Sequence, residues 1–422
     1  MTGVLGSDSG LFRIVTAGSV DDGKSSLIGR LLYDAGAVPE DQVEALRQAA
    51  DRDGSGAIDL SLITDGLIAE REQGITIDVA YRYFRTARRK FILADTPGHV
   101  QYVRNMVTGA STADAAVVLV DVRKGMTEQT RRHLCIAALL RIPHLVVAVN
   151  KMDLVSFDRA VFESAADPVR RFLRSLEAEA AAILPIAAKW GDNVVHPGDR
   201  MAWYGGKPLL ALLEALPSPR QEQGAPLRFP VQLVQRDVDA DGNPVRRLLG
   251  RVESGAIAVG DRVLVLPNGG TTSVTSISTF DGPLQRARAA QSIAVTLSDE
   301  IDVERGDLLA DPQHRPRVTD AFDAVLCWLD DEPYAPADRY VLKHGTRSTP
   351  ARIAALDGRI DITTLETLRG DVAPSRNDLV MAQIRVASRL ALDSYADCRR
   401  TGGFILINER TNATVAAGFI RD

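Results

Sequence analysis

Residues 11–34 read LFRIVTAGSVDDGKSSLIGRLLYD, and this segment determines the architecture of the first domain. Its apolar beginning, Leu11–Ala17, predicts a buried strand, and Ser25–Tyr33 has the apolar spacing of a helix. Between them, the residues from Gly18 to Ser25 fit the phosphate-binding loop GxxxxGK[S/T], which requires a strand before it and a helix after it. The sequence therefore predicts a phosphate-binding loop at the start of an α/β domain.

The residue types of this loop suit the binding of a nucleotide. Glycines let backbone N–H groups approach phosphate oxygens, and the N-terminus of the following helix favours negative charge. We expect Lys24 to reach the β- and γ-phosphates and Ser25 to place its hydroxyl on Mg²⁺. The loop residues expected to bind the nucleotide are Gly18, Ser19, Val20, Asp21, Asp22, Gly23, Lys24, Ser25 and Ser26.

A second motif, DTPGH, begins at Asp95 and follows the predicted strand Lys90–Ala94. An aspartate at the carboxyl end of a strand can hold Mg²⁺ through a water molecule, and Gly98 can present its amide to the γ-phosphate. His99 then occupies the position of a residue that orients the attacking water. Upstream, Thr76 is a candidate second hydroxyl ligand of Mg²⁺, in a segment that a γ-phosphate would order.

A third motif, NKMD, runs from Asn150 to Asp153 at the end of the predicted strand Leu145–Asn150. A carboxylate at this place can accept hydrogen bonds from both N1–H and the exocyclic amine of guanine, and adenine offers no such pair of donors. Asp153 is therefore expected to select guanine, while the stem of Lys151 packs over the base. These motifs, in this order and spacing, predict a GTPase.

Strands and helices alternate as far as residue 216, which predicts a doubly wound α/β domain with a mostly parallel sheet. The predicted strands are Leu11–Ala17, Lys90–Ala94, Ala115–Val122 and Leu145–Asn150, and the predicted helices are Ser25–Tyr33, Thr127–Leu140 and Asp158–Ala181. From Leu227 onwards, short β-branched runs separated by turns predict two antiparallel β-barrels. The predicted domains are residues 1–217, 218–312 and 313–422.

The composition is that of an ordinary globular protein, with 422 residues, of which 45% are hydrophobic and 25% charged. The sequence has no apolar run long enough for a transmembrane helix and no secretory signal, so we expect a cytoplasmic protein without membrane contact. The net charge of -5 gives no general footprint for DNA. The three cysteines lie far apart and suggest neither a disulfide framework nor a zinc site.

The sequences of these motifs are similar to those of the translation-factor class of GTPases. Elongation factor Tu, a member of that class, has the same three-domain organisation. More particular segments are DGLIAEREQGITIDVAYRYF, LSDEIDVERGDLLA and TGGFILIN. They resemble the large, GTP-hydrolysing subunit of bacterial sulfate adenylyltransferase, and this resemblance spans residues 11–420.

The resemblance implies a function for the chain. GTP, GDP and Mg²⁺ would be its ligands, and its partner in a heterodimer would be a smaller subunit that transfers an adenylyl group from ATP to sulfate. The products are adenosine 5′-phosphosulfate and pyrophosphate, and GTP hydrolysis helps to drive this uphill step of sulfate assimilation. Adenylylsulfate kinase is a further candidate partner. The resemblance also implies that Val20 and Ile75 form an apolar gate beside His99, which limits hydrolysis until the partner signals.

The sequence departs from its relatives at several positions. Asp22 stands where elongation factors usually have histidine, and Ser26 stands where relatives often have threonine. Ala187 replaces a usual serine in the loop expected to line the base, where the backbone amide of Ala188 would touch the guanine carbonyl. The sequence contains no second phosphate loop, which predicts that it has no adenylylsulfate kinase activity.

Two alternatives share the same motifs. A translation factor that binds aminoacyl-tRNA or the ribosome would need basic surface on its barrels, whereas residues 227–422 intersperse both signs of charge. A stand-alone GTP-dependent switch is the other alternative, and no residue excludes it.

Overall fold

The computed structural model describes residues 11–52, 58–63, 79–96, 103–217, 224–238, 242, 244–332, 334–362, 366–370 and 373–422. The chain divides into two compact units, of which one comprises residues 1–219 with 362–365 and the other residues 220–361 with 366–422. The three domain boundaries expected from the sequence stay a prediction.

The first unit is built on a six-stranded sheet flanked by helices. Its strands are β1 (Leu11–Ala17), β2 (Ala80–Arg85), β3 (Lys90–Asp95), β4 (Ala115–Asp121), β5 (His144–Asn150) and β6 (Ala180–Pro185). Its described helices are α1 (Lys24–Asp34), α2 (Glu40–Arg52), α3 (Val103–Ala110), α4 (Glu128–Leu139), α5 (Arg159–Ser175) and α6 (Leu209–Ala215), with 3₁₀ turns at Leu60–Ile63, Met152–Val155 and Asp199–Met201. The strand order is β2-β3-β1-β4-β5-β6.

The sheet is parallel except at one edge. β1 pairs in parallel with β3 and β4, and β5 pairs in parallel with β4 and β6, whereas β2 runs antiparallel to β3. Every residue of β4 is buried, as expected for a central strand covered on both faces. Leu27, Ile28 and Leu31 of α1 pack into the same core as β1. The doubly wound, mostly parallel sheet expected from the sequence is therefore confirmed.

One predicted helix is too long. The sequence pattern predicts a helix over Asp158–Ala181, but α5 ends at Ser175 and the chain enters β6 at Ala180. Glu177 takes a left-handed conformation with φ 52°, and the amide of Ala178 donates back to the carbonyl of Leu173. This arrangement caps the helix and reverses the chain, although the composition stays favourable for a helix.

The second unit contains two closed antiparallel rings of strands, which confirms the two predicted barrels. Its strands are β7 (Arg228–Val238), β8 (Pro244–Arg251), β9 (Ala256–Ala258), β10 (Arg262–Leu266), β11 (Gly270–Thr279), β12 (Gly282–Leu284), β13 (Arg286–Arg288), β14 (Ser292–Leu297), β15 (Leu308–Ala310), β16 (Arg317–Trp328), β17 (Tyr340–His344), β18 (Arg347–Ile360), β19 (Thr367–Leu368), β20 (Leu379–Leu392), β21 (Gly403–Asn408) and β22 (Thr414–Ile420).

The first ring has the order β10-β15-β7-β8-β14-β11 and closes where β10 pairs with β11. The second ring has the order β17-β21-β22-β16-β20-β18 and closes where β17 pairs with β18. Closure pairs each strand of a ring on both sides, and each ring surrounds an apolar core of its own. Among the helices that the structure describes, none combines the length and the apolar character needed to span a bilayer.

Candidate nucleotide-binding site

The predicted phosphate loop connects β1 to α1 at the carboxyl edge of the parallel strands. Asp21 and Gly23 both have left-handed backbone conformations, with φ of 68° and 92°. A β-carbon built on Gly23 would lie 2.4 Å from Nδ2 of Asn150. Glycine is therefore required at this position for its backbone conformation and for the close approach of a neighbouring side chain.

The side chain of Lys24 is held in place by backbone carbonyls of the phosphate loop. Its Nζ donates hydrogen bonds to the carbonyl oxygens of Gly18, at 2.9 Å, and Ser19, at 3.1 Å. Because an ammonium has three donors, one donor remains for a phosphate oxygen. Burial lowers the pKa of Lys24, and the nearby carboxylates of Asp95 and Asp22 oppose this shift. In the described part of the chain Lys24 forms no salt bridge, so its remaining donor can bind a phosphate oxygen.

Asp22 shapes the loop from the inside. Its buried carboxylate accepts a hydrogen bond of 2.7 Å from the amide of Ser19, at the other end of the loop. Burial raises the pKa of Asp22, while the Ser19 amide and the positive charge of Lys24 act in the opposite direction. The structure thus gives this aspartate a part in the loop's own hydrogen bonding.

Two oxygen donors predicted for Mg²⁺ flank the loop. Ser25 lies in the first turn of α1, and Asp95 ends β3, where it is buried and accepts a hydrogen bond of 3.4 Å from the hydroxyl of Thr16. A hydroxyl and a carboxylate are hard oxygen ligands of the kind that Mg²⁺ prefers, so these residues fit the ion. The predicted Ile75, Thr76, Gly98 and His99 lie outside the described residues.

Asn150 ties the phosphate loop to the loops predicted to bind guanine. Its Nδ2 donates to the carbonyl of Asp22 at 2.8 Å, and its Oδ1 accepts from the amide of Ala188 at 3.0 Å. The Ala188 amide would therefore have to share its hydrogen between Asn150 and a guanine carbonyl. The amide of Ala187 donates to the carbonyl of Asp192, which closes the loop containing both alanines.

Two further residues of the NKMD motif, Lys151 and Asp153, have partners that sequence reasoning missed. Asp153 is half-buried and accepts a hydrogen bond of 3.2 Å from Nε1 of Trp190. Lys151 has a left-handed φ of 68°, and its Nζ lies 3.0 Å from Oδ2 of Asp121. The motif residues are thus oriented by side chains from other parts of the sequence.

Asp121 is the second of these missed residues. It ends β4 with a fully buried side chain, and Arg123 donates to it from both Nε, at 3.1 Å, and Nη2, at 2.7 Å. Burial alone would raise the pKa of Asp121, but the hydrogen bonds from Arg123 and the positive charge of Lys151 hold it well below its usual value. Asp121, like Asp95, lies at the carboxyl end of a strand, and this position is the sequence feature that could have identified it as a site residue.

The described geometry joins a phosphate loop, a buried lysine and an NKMD loop at one edge of a parallel sheet, which is the arrangement of a P-loop GTPase. Three family models match the chain: Elongation factor Tu GTP binding domain over residues 10–221, Elongation factor Tu domain 2 over residues 248–310 and GTP-eEF1A C-terminal domain-like over residues 321–421. The protein is therefore a GTPase of the elongation factor Tu class.

Comparison with curated proteins narrows this class. Sulfate adenylyltransferase subunit 1 of Aeromonas salmonicida is 48% identical over 413 residues, which are 97% of this chain and 86% of the relative. The bifunctional enzyme CysN/CysC of Mycobacterium tuberculosis is 49% identical over 411 residues, which are 97% of this chain and 67% of the relative. The crystal structure of sup35 complexed with GDP aligns with 98% of this chain and 94% of its own at 23% identity and a TM-score of 0.45. The chain belongs to the sulfate adenylyltransferase subunit 1 family.

Proposed function

We propose that this chain is the GTP-hydrolysing subunit of a sulfate adenylyltransferase. It couples GTP hydrolysis to the formation of adenosine 5′-phosphosulfate and pyrophosphate from ATP and sulfate, while a smaller partner subunit carries out the adenylyl transfer. The observation that carries this proposal is the match to sulfate adenylyltransferase subunit 1 over 97% of the chain at 48% identity. The complex works in the cytoplasm, and adenylylsulfate kinase is a further candidate partner.

The phosphate loop binds and neutralises the transferring phosphoryl group. Lys24, already bound to two loop carbonyls, uses its remaining donor on the β- and γ-phosphates. Ser25, Thr76 and Asp95 would hold Mg²⁺, with Asp95 acting through a water molecule. When bound, Mg²⁺ offsets negative charge on the phosphate oxygens. This arrangement orients the phosphates so that hydrolysis depends on one correctly placed water molecule.

His99 is proposed to orient that water, with Gly98 presenting its amide to the γ-phosphate. Val20 and Ile75 form an apolar gate that keeps His99 away from the water until the partner subunit acts. Segments around Thr76 and His99 then carry the signal, because a γ-phosphate orders them and hydrolysis releases them.

Guanine recognition is proposed to rest on Asp153, which accepts hydrogen bonds from the base. Lys151 covers the face of the base with its stem while Asp121 holds its ammonium. The backbone of Ala187 and Ala188 lines the base from the neighbouring loop, which Asn150 anchors to the phosphate loop. Asn150 thereby keeps the two halves of the nucleotide site at a fixed separation.

The test is GTP hydrolysis by the purified chain, with and without the small adenylyl-transferring subunit, ATP and sulfate. We expect stimulation that requires this subunit, accompanied by adenosine 5′-phosphosulfate formation. A His99→Ala variant should bind GTP normally but lose at least about tenfold of the stimulated rate, as expected for a water-positioning group. Stimulation by ribosomes instead of the small subunit would overturn the proposal and favour a translation factor.

A further inference from the structure

We propose that Trp190 is a positioning residue for guanine selectivity, whose indole N–H orients the carboxylate of Asp153 toward the two donors of the base. Nε1 of Trp190 donates to Oδ2 of Asp153 at 3.2 Å, across 37 positions of sequence. This inference deepens the proposed binding of GTP and rests on it.

The hydrogen bond leaves Asp153 free to bind guanine. An indole nitrogen is only a donor, and an ionised carboxylate accepts through two oxygens with about four lone-pair sites. One bond from Trp190 therefore leaves room for N1–H and the exocyclic amine. Because the acceptor is charged, the bond is stronger than one between neutral groups. It restricts rotation of the half-buried carboxylate, which lies in the 3₁₀ turn Met152–Val155 and also faces the positive charge of Arg123.

Trp190 is itself fixed, although half of its surface is exposed. The Arg200 guanidinium lies 5.9 Å from the centre of the Trp190 ring and 4.4 Å from that of Phe157. Nε of Arg200 donates at 3.2 Å to Asp192, which holds the guanidinium in place. On the backbone, the amide of Trp190 donates to the carbonyl of Ala187 at 3.0 Å.

This support explains why a solvent-facing indole can act as a fixed donor. Trp190 belongs to the same turn as Ala188, so the turn that lines the base also carries the group that orients Asp153. A second cation, Nζ of Lys189, lies 5.5 Å from the centre of the indole ring. A cation above an aromatic ring is attracted by the negative face of the ring, and together these contacts limit the movement of the indole.

The inference predicts an effect on selectivity and not only on affinity. Guanine and hypoxanthine differ by the exocyclic amine, which supplies the second hydrogen bond to Asp153. A carboxylate that rotates freely can still meet N1–H, but it meets both donors at once less often. Loss of the Trp190 N–H should therefore weaken guanine nucleotides more than hypoxanthine nucleotides.

The experiment measures the dissociation constants of GDP and IDP for the full chain and for Trp190→Phe, which keeps an aromatic ring but removes the donor. We expect GDP binding to weaken by about five- to tenfold, which is the range of one ordinary hydrogen bond, and IDP binding by less than about twofold. Trp190→His, which retains a ring N–H, should recover part of the difference. In an Asp153→Asn background, Trp190→Phe should leave the GDP-to-IDP ratio unchanged.

Trp203→Phe is the matched control. Its Nε1 donates at 2.9 Å to the carbonyl of Phe157, and no contact joins it to Asp153 in the described structure. Equal weakening of GDP and IDP by Trp190→Phe, which leaves their ratio unchanged, would show a merely structural role and overturn the inference, as would unaltered binding of both nucleotides. Failure of the unaltered chain to bind GDP would instead overturn the proposed function, so the two failures are distinguishable.

Discussion

Gly23 illustrates how one residue can determine the shape of a binding loop. Its φ of 92° is unfavourable for any side chain, and an added β-carbon would meet Asn150 Nδ2 at 2.4 Å. We expect Gly23→Ala to reduce the free energy of unfolding by about 2–5 kcal/mol, the sum of backbone strain and overpacking. GDP affinity should fall at least about tenfold, because displaced Asn150 releases two loops. Urea denaturation and nucleotide titration measure these effects.

Gly36 provides the control for this substitution. It has a similar φ of 65° but no atom within 4 Å of an added β-carbon. Gly36→Ala should cost about 1–2 kcal/mol from the backbone alone and leave GDP binding intact. If both variants behaved alike, the close approach of Asn150 would have no energetic weight.

The burial of His133 leads us to expect that the stability of the fold depends on pH. Its side chain is buried in α4, and burial, with smaller effects from Lys24 and Arg132, lowers its pKa to about 3. The unfolded chain takes up a proton near pH 6.5, so stability is full above that pH and declines as the pH falls toward 3. The expected contribution to the slope is at most about 1.4 kcal/mol per pH unit. Urea denaturation between pH 7 and 5 measures it.

A His133→Leu variant should show a flatter decline over the same range, because its apolar side chain takes up no proton in the unfolded state. His196 is exposed, and His196→Leu serves as the control. We expect this variant to show the same slope of unfolding free energy against pH as the unaltered chain. Identical slopes for His133→Leu and the unaltered chain would contradict the assignment.

At the scale of elements, the site depends on three loops that follow different strands. Asn150 links them through Asp22 and Ala188. We expect Asn150→Ala to leave a buried carbonyl and a buried amide unpaired and to lower the free energy of unfolding by about 2–4 kcal/mol. GDP affinity should fall more than about tenfold, and amide hydrogen exchange should accelerate in the phosphate loop and at Ala188.

Asn193 is the matched control, since it is also buried and bridges two backbone groups, the carbonyl of Pro185 and the amide of Gly198. Asn193→Ala should destabilise the fold to a similar degree but change GDP affinity less than about threefold. Equal losses of affinity in the two variants would mean that Asn150 acts only through general stability.

The elements that could be predicted from the sequence are those whose bounds are marked by residues within or next to the element. The strand before the phosphate loop, Leu11–Ala17, has the predicted bounds, because a continuous apolar run and a glycine turn both mark its limits. The end of α5 could not be predicted, because one left-handed residue, Glu177, terminates the helix within a helix-favouring composition.

The same distinction applies to the site. Motifs of adjacent residues, such as Lys24 with Ser25, carry their chemistry in their spacing. The supports of Lys151 and Asp153 come from Asp121 and Trp190, which lie 30 or more positions away along the chain. The first pair depends on how β4 and β5 lie side by side and the second on how β5 and β6 do, which no local pattern encodes.

At the scale of the whole molecule, the two barrels of the second unit share a buried ion pair. Arg228 begins β7 and Asp393 follows β20, with side chains only 5% and 7% exposed. Arg228 donates from Nε and Nη2 to the carboxylate, and the hydroxyl of Thr401 donates to it as well. Because both charges are removed from water, the contribution of the pair to stability depends on both partners being present.

We expect Arg228→Ala to lower the free energy of unfolding by about 3–5 kcal/mol, since it leaves the Asp393 carboxylate buried without its cation. Replacing both residues, as Arg228→Met with Asp393→Leu, should cost less than the single change, because apolar side chains of similar volume remove the uncompensated charge. Thermal and urea denaturation of the full chain measure both variants.

The more exposed pair of Arg376 with Asp331 is the control, with side chains 33% and 75% exposed. Arg376→Ala should cost no more than about 1 kcal/mol, because water screens the pair. Comparing Arg228→Ala with Arg376→Ala separates the effect of burial from the effect of removing a charge. If the double variant at Arg228 and Asp393 were as unstable as Arg228→Ala, the loss would arise from packing between the barrels and not from an unpaired carboxylate. A double variant more stable than Arg228→Ala would show that Asp393 requires Arg228 chiefly for neutralisation.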